Sequence, residues 1–147
     1  MFKTLGILGT GNMGRAIASG LVRSGLMQGN QVYLYNLHPE KAQRLADELG
    51  AVRVDSAKEL LERSEAVILA VKPFIMPGVL EEIKPYITSG KIMVSIAAGL
   101  TLSRLAAAMP EQTKIVRVMP NTPAMVGEGM SALTFNTYLT EAEKEAA

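Results

Sequence analysis

Near its start the chain reads Gly9-Thr10-Gly11-Asn12-Met13-Gly14, a G-x-G-x-x-G spacing. The chemistry such a spacing supports is phosphate binding by main chain. Gly9 permits a tight turn, Gly11 lets a pyrophosphate approach the backbone, and Gly14 lets the following helix pack closely on the strand before it. The free N–H groups of the first helical turn, with about half a positive charge from the helix dipole, then favour the anion. Thirteen glycines in 147 residues make the spacing alone weak, since chance matches are expected. Its position says more, because it follows an apolar, β-rich run and opens a helical one. A P-loop can be set aside: Ser89-Gly90-Lys91-Ile92 lacks both the earlier glycine and a hydroxyl residue after lysine.

Twenty-two residues after Gly14, where an NAD-selective site offers a carboxylate to the ribose hydroxyls, the chain offers Asn36, with Lys41 and Arg44 one or two turns into the next helix. A carboxylate there would repel a 2′-phosphate by ~3 kcal/mol at 5 Å and an effective dielectric of 20, before screening. Asn36 lacks that repulsion, so NADP is the expected cofactor and NAD is possible.

Three later strand ends have compositions suited to a ligand rim, since open parallel sheets bind ligands outside their carboxyl ends. Ala70-Val71-Lys72-Pro73 leaves one strand stiffly, because proline holds Lys72 extended. Ser95-Ile96-Ala97-Ala98-Gly99 leaves the next with small side chains that admit a flat ring. Met119-Pro120-Asn121-Thr122-Pro123 leaves the one after, its prolines fixing the turn while Asn121 and Thr122 supply hydrogen-bonding groups on a substrate side.

The elements that must position these residues follow from the alternation of apolar, β-rich runs with helical periodicity, which predicts an α/β fold with a mostly parallel, doubly wound sheet and helices on both faces. Strands are expected at Thr4 to Leu8, Gln31 to Tyr35, Val52 to Val54, Ala66 to Val71, Ile92 to Ser95, Lys114 to Met119 and Met130 to Phe135. Helices are expected after Asn12, from Pro39 to Gly50, after Ser56, between Ile75 and Pro85, and from Thr101 to Met109. Met13, Ile17 and Leu21 share a face of the first helix, and Leu45 and Leu49 of the second should face the sheet. Gly25 is placed to end the first helix, and Pro39 suits a first helical position. Ser56-Ala-Lys-Glu59 and Thr140-Glu-Ala-Glu143 read as capping boxes. Residues 1–139 are thus expected to form one dinucleotide-binding domain, and 140–147 the first turns of a further helix.

Composition limits the partners. The chain is 48% hydrophobic and carries fifteen Lys+Arg against fourteen Asp+Glu, with no basic block and seven aromatic residues. Nucleic acid is therefore a poor candidate partner. The longest apolar run, Ala66 to Val71, is far short of the ~20 residues of a membrane helix, and no signal peptide is read at the start. The absence of cysteine removes thiolate chemistry and fits a reducing, cytoplasmic setting.

Taken with these residues, the sequence resembles the N-terminal domain of the pyrroline-5-carboxylate reductases. The matching pieces are Gly9 to Gly14, Ala70-Val-Lys-Pro73, Ser95-Ile-Ala-Ala-Gly99 and Arg117-Val-Met-Pro-Asn-Thr-Pro123 with Gly127 and Gly129. The last is the most specific, while the glycine turn is shared with many dehydrogenases. The resemblance implies a Rossmann-type fold in which Gly11, Asn12 and Met13 cradle the pyrophosphate and Asn36 sits by the adenosine ribose. It places Ala70, Val71, Lys72, Ala97 and Ala98 at the nicotinamide end. It also implies reduction of the cyclic imine pyrroline-5-carboxylate to proline, the last step of proline synthesis, by a homo-oligomeric enzyme. Family members continue into a helical domain that forms the dimer and holds the substrate carboxylate. That domain is absent from this chain, so weak or no turnover is expected of these residues alone. His38 reads as a cofactor-side or solvent histidine, and no residue here is assigned as catalytic. The alternatives are a related dehydrogenase of β-hydroxyacids and a regulatory NAD(P)-binding module without catalysis.

Overall fold

The structure, a computed structural model, describes residues 3–88, 90–96, 101–111, 113–120 and 131–135. Strand β1 (Leu5–Leu8) leads into helix α1 (Asn12–Arg23), then β2 (Val32–Tyr35), α2 (Pro39–Leu49), β3 (Val52–Arg53), α3 (Ala57–Arg63) and β4 (Ala66–Leu69). The second half runs through α4 (Met76–Ile83), β5 (Ile92–Ser95), α5 (Leu102–Ala107), β6 (Lys114–Pro120) and β7 (Ser131–Phe135). The strands form one sheet in the order β3-β2-β1-β4-β5-β6-β7. The first six are parallel and β7 runs antiparallel beside β6. This is the doubly wound, mostly parallel sheet expected, with its change of direction between β1 and β4.

Each central strand is apolar on both faces because both are covered. Leu5 and Ile7 of β1, with Ala66 and Ile68 of β4, pack towards Ala18, Ala42, Leu45 and Leu49 of α1 and α2. Their neighbours Leu8, Val67 and Leu69 pack towards Leu60, Leu61, Met76 and Ile83 of α3 and α4. A fully buried Leu or Ile contributes about 1.5–3 kcal/mol, so these two layers carry the fold. Glu48 on α2 pairs with Arg15 at 2.6 Å and Arg23 at 2.9 Å, joining α1 to α2 at the surface.

The element ends refine the sequence reading. Gln31 does not open β2: it ends a short 3-10 turn, Gly29–Gln31, in which its side chain accepts the Gln28 N–H at 2.8 Å. Thr4 does not join β1, and its hydroxyl accepts the Glu65 N–H at 3.0 Å. Gly25 and Gly50 stand at φ +80° and +70°, as expected of glycines that end α1 and α2. Ser56 Oγ accepts the Glu59 N–H at 3.0 Å, but Glu59 reaches one residue further back than a capping box requires, to the Asp55 N–H. The Thr140 capping box lies outside the described residues.

At the amino ends of the strands the polar groups are closed by one another. The Lys3 N–H donates to the Glu65 carboxylate at 3.0 Å and Gln31 Nε2 to the Lys3 carbonyl at 3.2 Å. Lys91 donates its ammonium to the carbonyls of Leu61 and, at 2.6 Å, Ser64, capping the carboxyl end of α3. Burial holds the Lys91 pKa below the ordinary lysine range.

Candidate functional site

The carboxyl ends of β1, β2 and β4 hold the glycine turn between them. The Gly9 N–H donates to the Tyr35 carbonyl at 2.8 Å, and the Ala70 N–H donates to the Leu8 carbonyl at 2.8 Å. The turn is thereby tied to both neighbouring strands. Gly9 has φ +105°, and a Cβ there would stand 2.7 Å from the Ala70 carbonyl oxygen. At Gly14 a Cβ would fall 2.1 Å from the Gly9 carbonyl oxygen. Both glycines are thus required by the protein's own backbone. Gly11 differs: its φ is −73° and a Cβ there would meet nothing within 4 Å. No packing in the described structure requires a glycine there, so the space in front of it is available to a ligand.

Gly11 is also the N-cap of α1. It supplies no side-chain hydrogen bond, and the first turn carries no acidic residue. The first N–H groups of a helix have no intrahelical acceptors, so the start of α1 presents donors and a positive dipole end to an anion.

Beside the turn lies a cleft of ≈ 290 Å³. One wall comes from the end of β2 and the start of α2, with Tyr35, Asn36, Leu37, His38 and Lys41; the opposite wall comes from Ala70, Val71 and Lys72 after β4. Leu8, Gly9 and Gly11 form the floor, while Ala57 of α3 and Ile75, Val79 and Glu82 around α4 close the far end. His38 is the N-cap of α2 and makes no side-chain capping bond. Leu37 is 62% exposed, a large apolar surface at the mouth. The charged side chains in the lining are Lys41, Lys72 and Glu82, and the ribose position beyond β2 carries the amide of Asn36 rather than a carboxylate.

The structure therefore brings together Gly9, Gly11, Asn36, Ala70, Val71 and Lys72 around one cleft. Asn12, Met13, Gly14 and Pro73 are absent from its lining. Asn12 and Met13 open α1, Gly14 packs against the turn, and Pro73 is the residue after Lys72, whose carbonyl accepts the N–H groups of Ile75 at 3.0 Å and Met76 at 3.2 Å. That carbonyl is therefore committed to starting α4. Lys41 lines the cleft, whereas Arg44 is exposed on α2 and does not. Ala97, Ala98, Asn121 and Thr122 lie outside the described residues. Ala57, Ile75, Val79 and Glu82 escaped the sequence reading, because helices α3 and α4 reach the cleft only through the tertiary fold.

The arrangement has the parts that a phosphorylated nucleoside needs: an open backbone turn at an uncapped helix start, an apolar slot for a base, and a rim without a carboxylate at the ribose position. Comparisons with known proteins agree with that geometry. The family described as NADP oxidoreductase, coenzyme F420-dependent, matches residues 4–99. A pyrroline-5-carboxylate reductase of Escherichia coli is 43% identical over 95% of this chain and 52% of its own length. A pyrroline-5-carboxylate reductase of Coxiella burnetii superposes with a TM-score of 0.93 at 28% identity, over 98% of this chain and 53% of that one. The pyrroline carboxylate reductase of Plasmodium falciparum, solved with NADP bound, superposes with a TM-score of 0.86 at 32% identity, over 97% of this chain and 52% of that one. The chain thus spans about half the length of the relatives it matches.

Proposed function

The chain belongs to the family described as NADP oxidoreductase, coenzyme F420-dependent, and from that premise we propose that it is the cofactor-binding half of a pyrroline-5-carboxylate reductase. In this reading residues 1–139 form the NADP-binding domain, and the enzyme reduces 1-pyrroline-5-carboxylate to L-proline at the end of proline synthesis. The observation that carries it is the conjunction of the open glycine turn with 43% identity over 95% of the chain to a reductase of that name.

Gly11 and the first turn of α1 take the pyrophosphate, Asn36 and Lys41 take the phosphorylated ribose, and Leu37, Val71, Ile75 and Val79 enclose the adenine. NADP is preferred over NAD because no carboxylate stands at Asn36 to repel a 2′-phosphate. When bound, the reduced nicotinamide supplies a hydride, which adds to the carbon of the substrate's C=N bond while a proton goes to the ring nitrogen. The cofactor carries that chemistry, so the protein's task is to position the imine and exclude water. Ala97, Ala98, Asn121 and Thr122 are assigned to the nicotinamide and substrate side, and the homo-oligomer and substrate carboxylate site to the half of the relatives this chain does not span.

Titration calorimetry with NADPH and NADH tests the binding half of the proposal, with NADPH expected to bind at least about tenfold more tightly. The reaction is tested by following proline formation and NADPH oxidation in the chain extended by a reductase C-terminal half. Absence of heat with either dinucleotide sinks the proposal. Binding followed by oxidation of 3-hydroxyisobutyrate, with no imine reduction, points to a β-hydroxyacid dehydrogenase instead.

A further inference from the structure

Among the described residues three buried side-chain polar atoms have no hydrogen-bond partner: Thr10 Oγ1, Ser64 Oγ and Arg117 Nε. Ser64 has a local packing context, since its Oγ lies 2.4 Å from the point where a Cβ on Gly6 would stand, at the junction of α3 with β4. Thr10 sits elsewhere, in the middle of the glycine turn, with the residue only 8% exposed. An unmade hydrogen bond at a buried hydroxyl costs about 1–3 kcal/mol, and valine would keep nearly the same shape without that cost. The hydroxyl is therefore a liability to the free protein at the place where a ligand is expected.

The groups flanking Thr10 are committed. The Gly9 N–H is held by the Tyr35 carbonyl, and the Gly11 carbonyl accepts the Arg15 N–H at 2.8 Å. The start of α1, by contrast, is uncapped. An anionic oxygen seated on that first turn would place an acceptor beside Thr10. Threonine moves between staggered χ1 wells by a rotation of about 120°, which is enough to redirect the hydroxyl without moving the turn.

We propose that the Thr10 hydroxyl is a binding group for a pyrophosphate oxygen of the dinucleotide, left unsatisfied in the free protein so that the ligand supplies its hydrogen bond. The inference rests on the dinucleotide reading above. It adds that stability and affinity are set against each other at this one side chain.

Thermal unfolding without ligand and titration calorimetry with NADPH, on the wild type and on Thr10→Val, Thr10→Ala and Thr10→Ser, test it. Thr10→Val is expected to leave the melting temperature of the free protein unchanged or raise it by about 2–4 °C, while weakening NADPH about tenfold. Thr10→Ala, which removes the hydroxyl without bulk at the branch, should show the same loss of affinity, and Thr10→Ser should bind within about threefold of wild type. Adenosine 2′-monophosphate, which has no pyrophosphate, should bind wild type and Thr10→Val alike. Unchanged NADPH affinity in both Thr10→Val and Thr10→Ala overturns the inference, as does equal weakening of adenosine 2′-monophosphate. A wild type that binds NADPH, together with a free Thr10→Val protein that melts several degrees lower, would show the hydroxyl already bonded and overturns it too. If the wild type itself fails to bind NADPH, the dinucleotide reading falls first and this inference falls with it.

Discussion

Helices α1 and α3 both begin at the carboxyl rim of the sheet, and they begin in opposite ways. The first turn of α3 is finished by its own residues, with Ser56 accepting the Glu59 N–H and Glu59 accepting the Asp55 N–H. The first turn of α1 starts at a glycine with no side chain to give and no carboxylate near its dipole. Capping contributes about 1 kcal/mol to a helix, so α1 forgoes a stabilisation that α3 takes. Gly11 has room for a side chain and a backbone conformation any residue can adopt. The difference teaches that the open start of α1 is not forced by packing, and under the function proposed above its free donors are left to a phosphate.

That contrast can be broken most severely at Gly14. Alanine there places a Cβ against the Gly9 carbonyl oxygen, and because backbone has no cheap way to yield, a loss above about 3 kcal/mol in urea unfolding is expected. Gly11→Asp attacks the contrast selectively, by giving α1 the cap that α3 has. The free protein should hold its stability or gain up to about 1 kcal/mol, while NADPH affinity measured by calorimetry falls about a hundredfold through repulsion of the phosphates. If affinity survives, the anion does not sit at α1. Asn36→Asp should leave folding intact and lower the ratio of NADPH to NADH affinity about tenfold; an unchanged ratio removes Asn36 from cofactor selection. The smallest effect belongs to the closed helix. Ser56→Ala should cost about 1 kcal/mol of unfolding free energy and change NADPH affinity less than twofold, which sharpens the distinction between a helix start closed by its own residues and one left open.

Much of this was legible in the sequence because the informative residues act locally. Gly50 is read as a helix end from its place after an apolar period, and Pro39 as a helix start from its fixed φ, whatever surrounds them. The alternation of strands and helices leads to the parallel sheet for the same reason. What escaped was tertiary. Ala57, Val79 and Glu82 reach the cleft from helices whose periodicity marks only which side is buried. Lys91 caps α3 from twenty-seven residues away at Ser64, a pairing no local pattern announces. Thr10 stood in plain view as a neutral x of the glycine motif, and only its burial without a partner distinguishes it.

The central place of β1 has a consequence for how the protein is made. Leu5 pairs with Val32 on one side and Ala66 on the other, and the turn after Leu8 is shaped against the backbone of Ala70. A ribosome adding about 5–20 residues per second takes seconds to travel from Gly9 to Ala70. During that interval the glycine turn has been synthesised but lacks half of its mould. The turn can therefore reach its final shape only after β4 has left the exit tunnel and paired with β1.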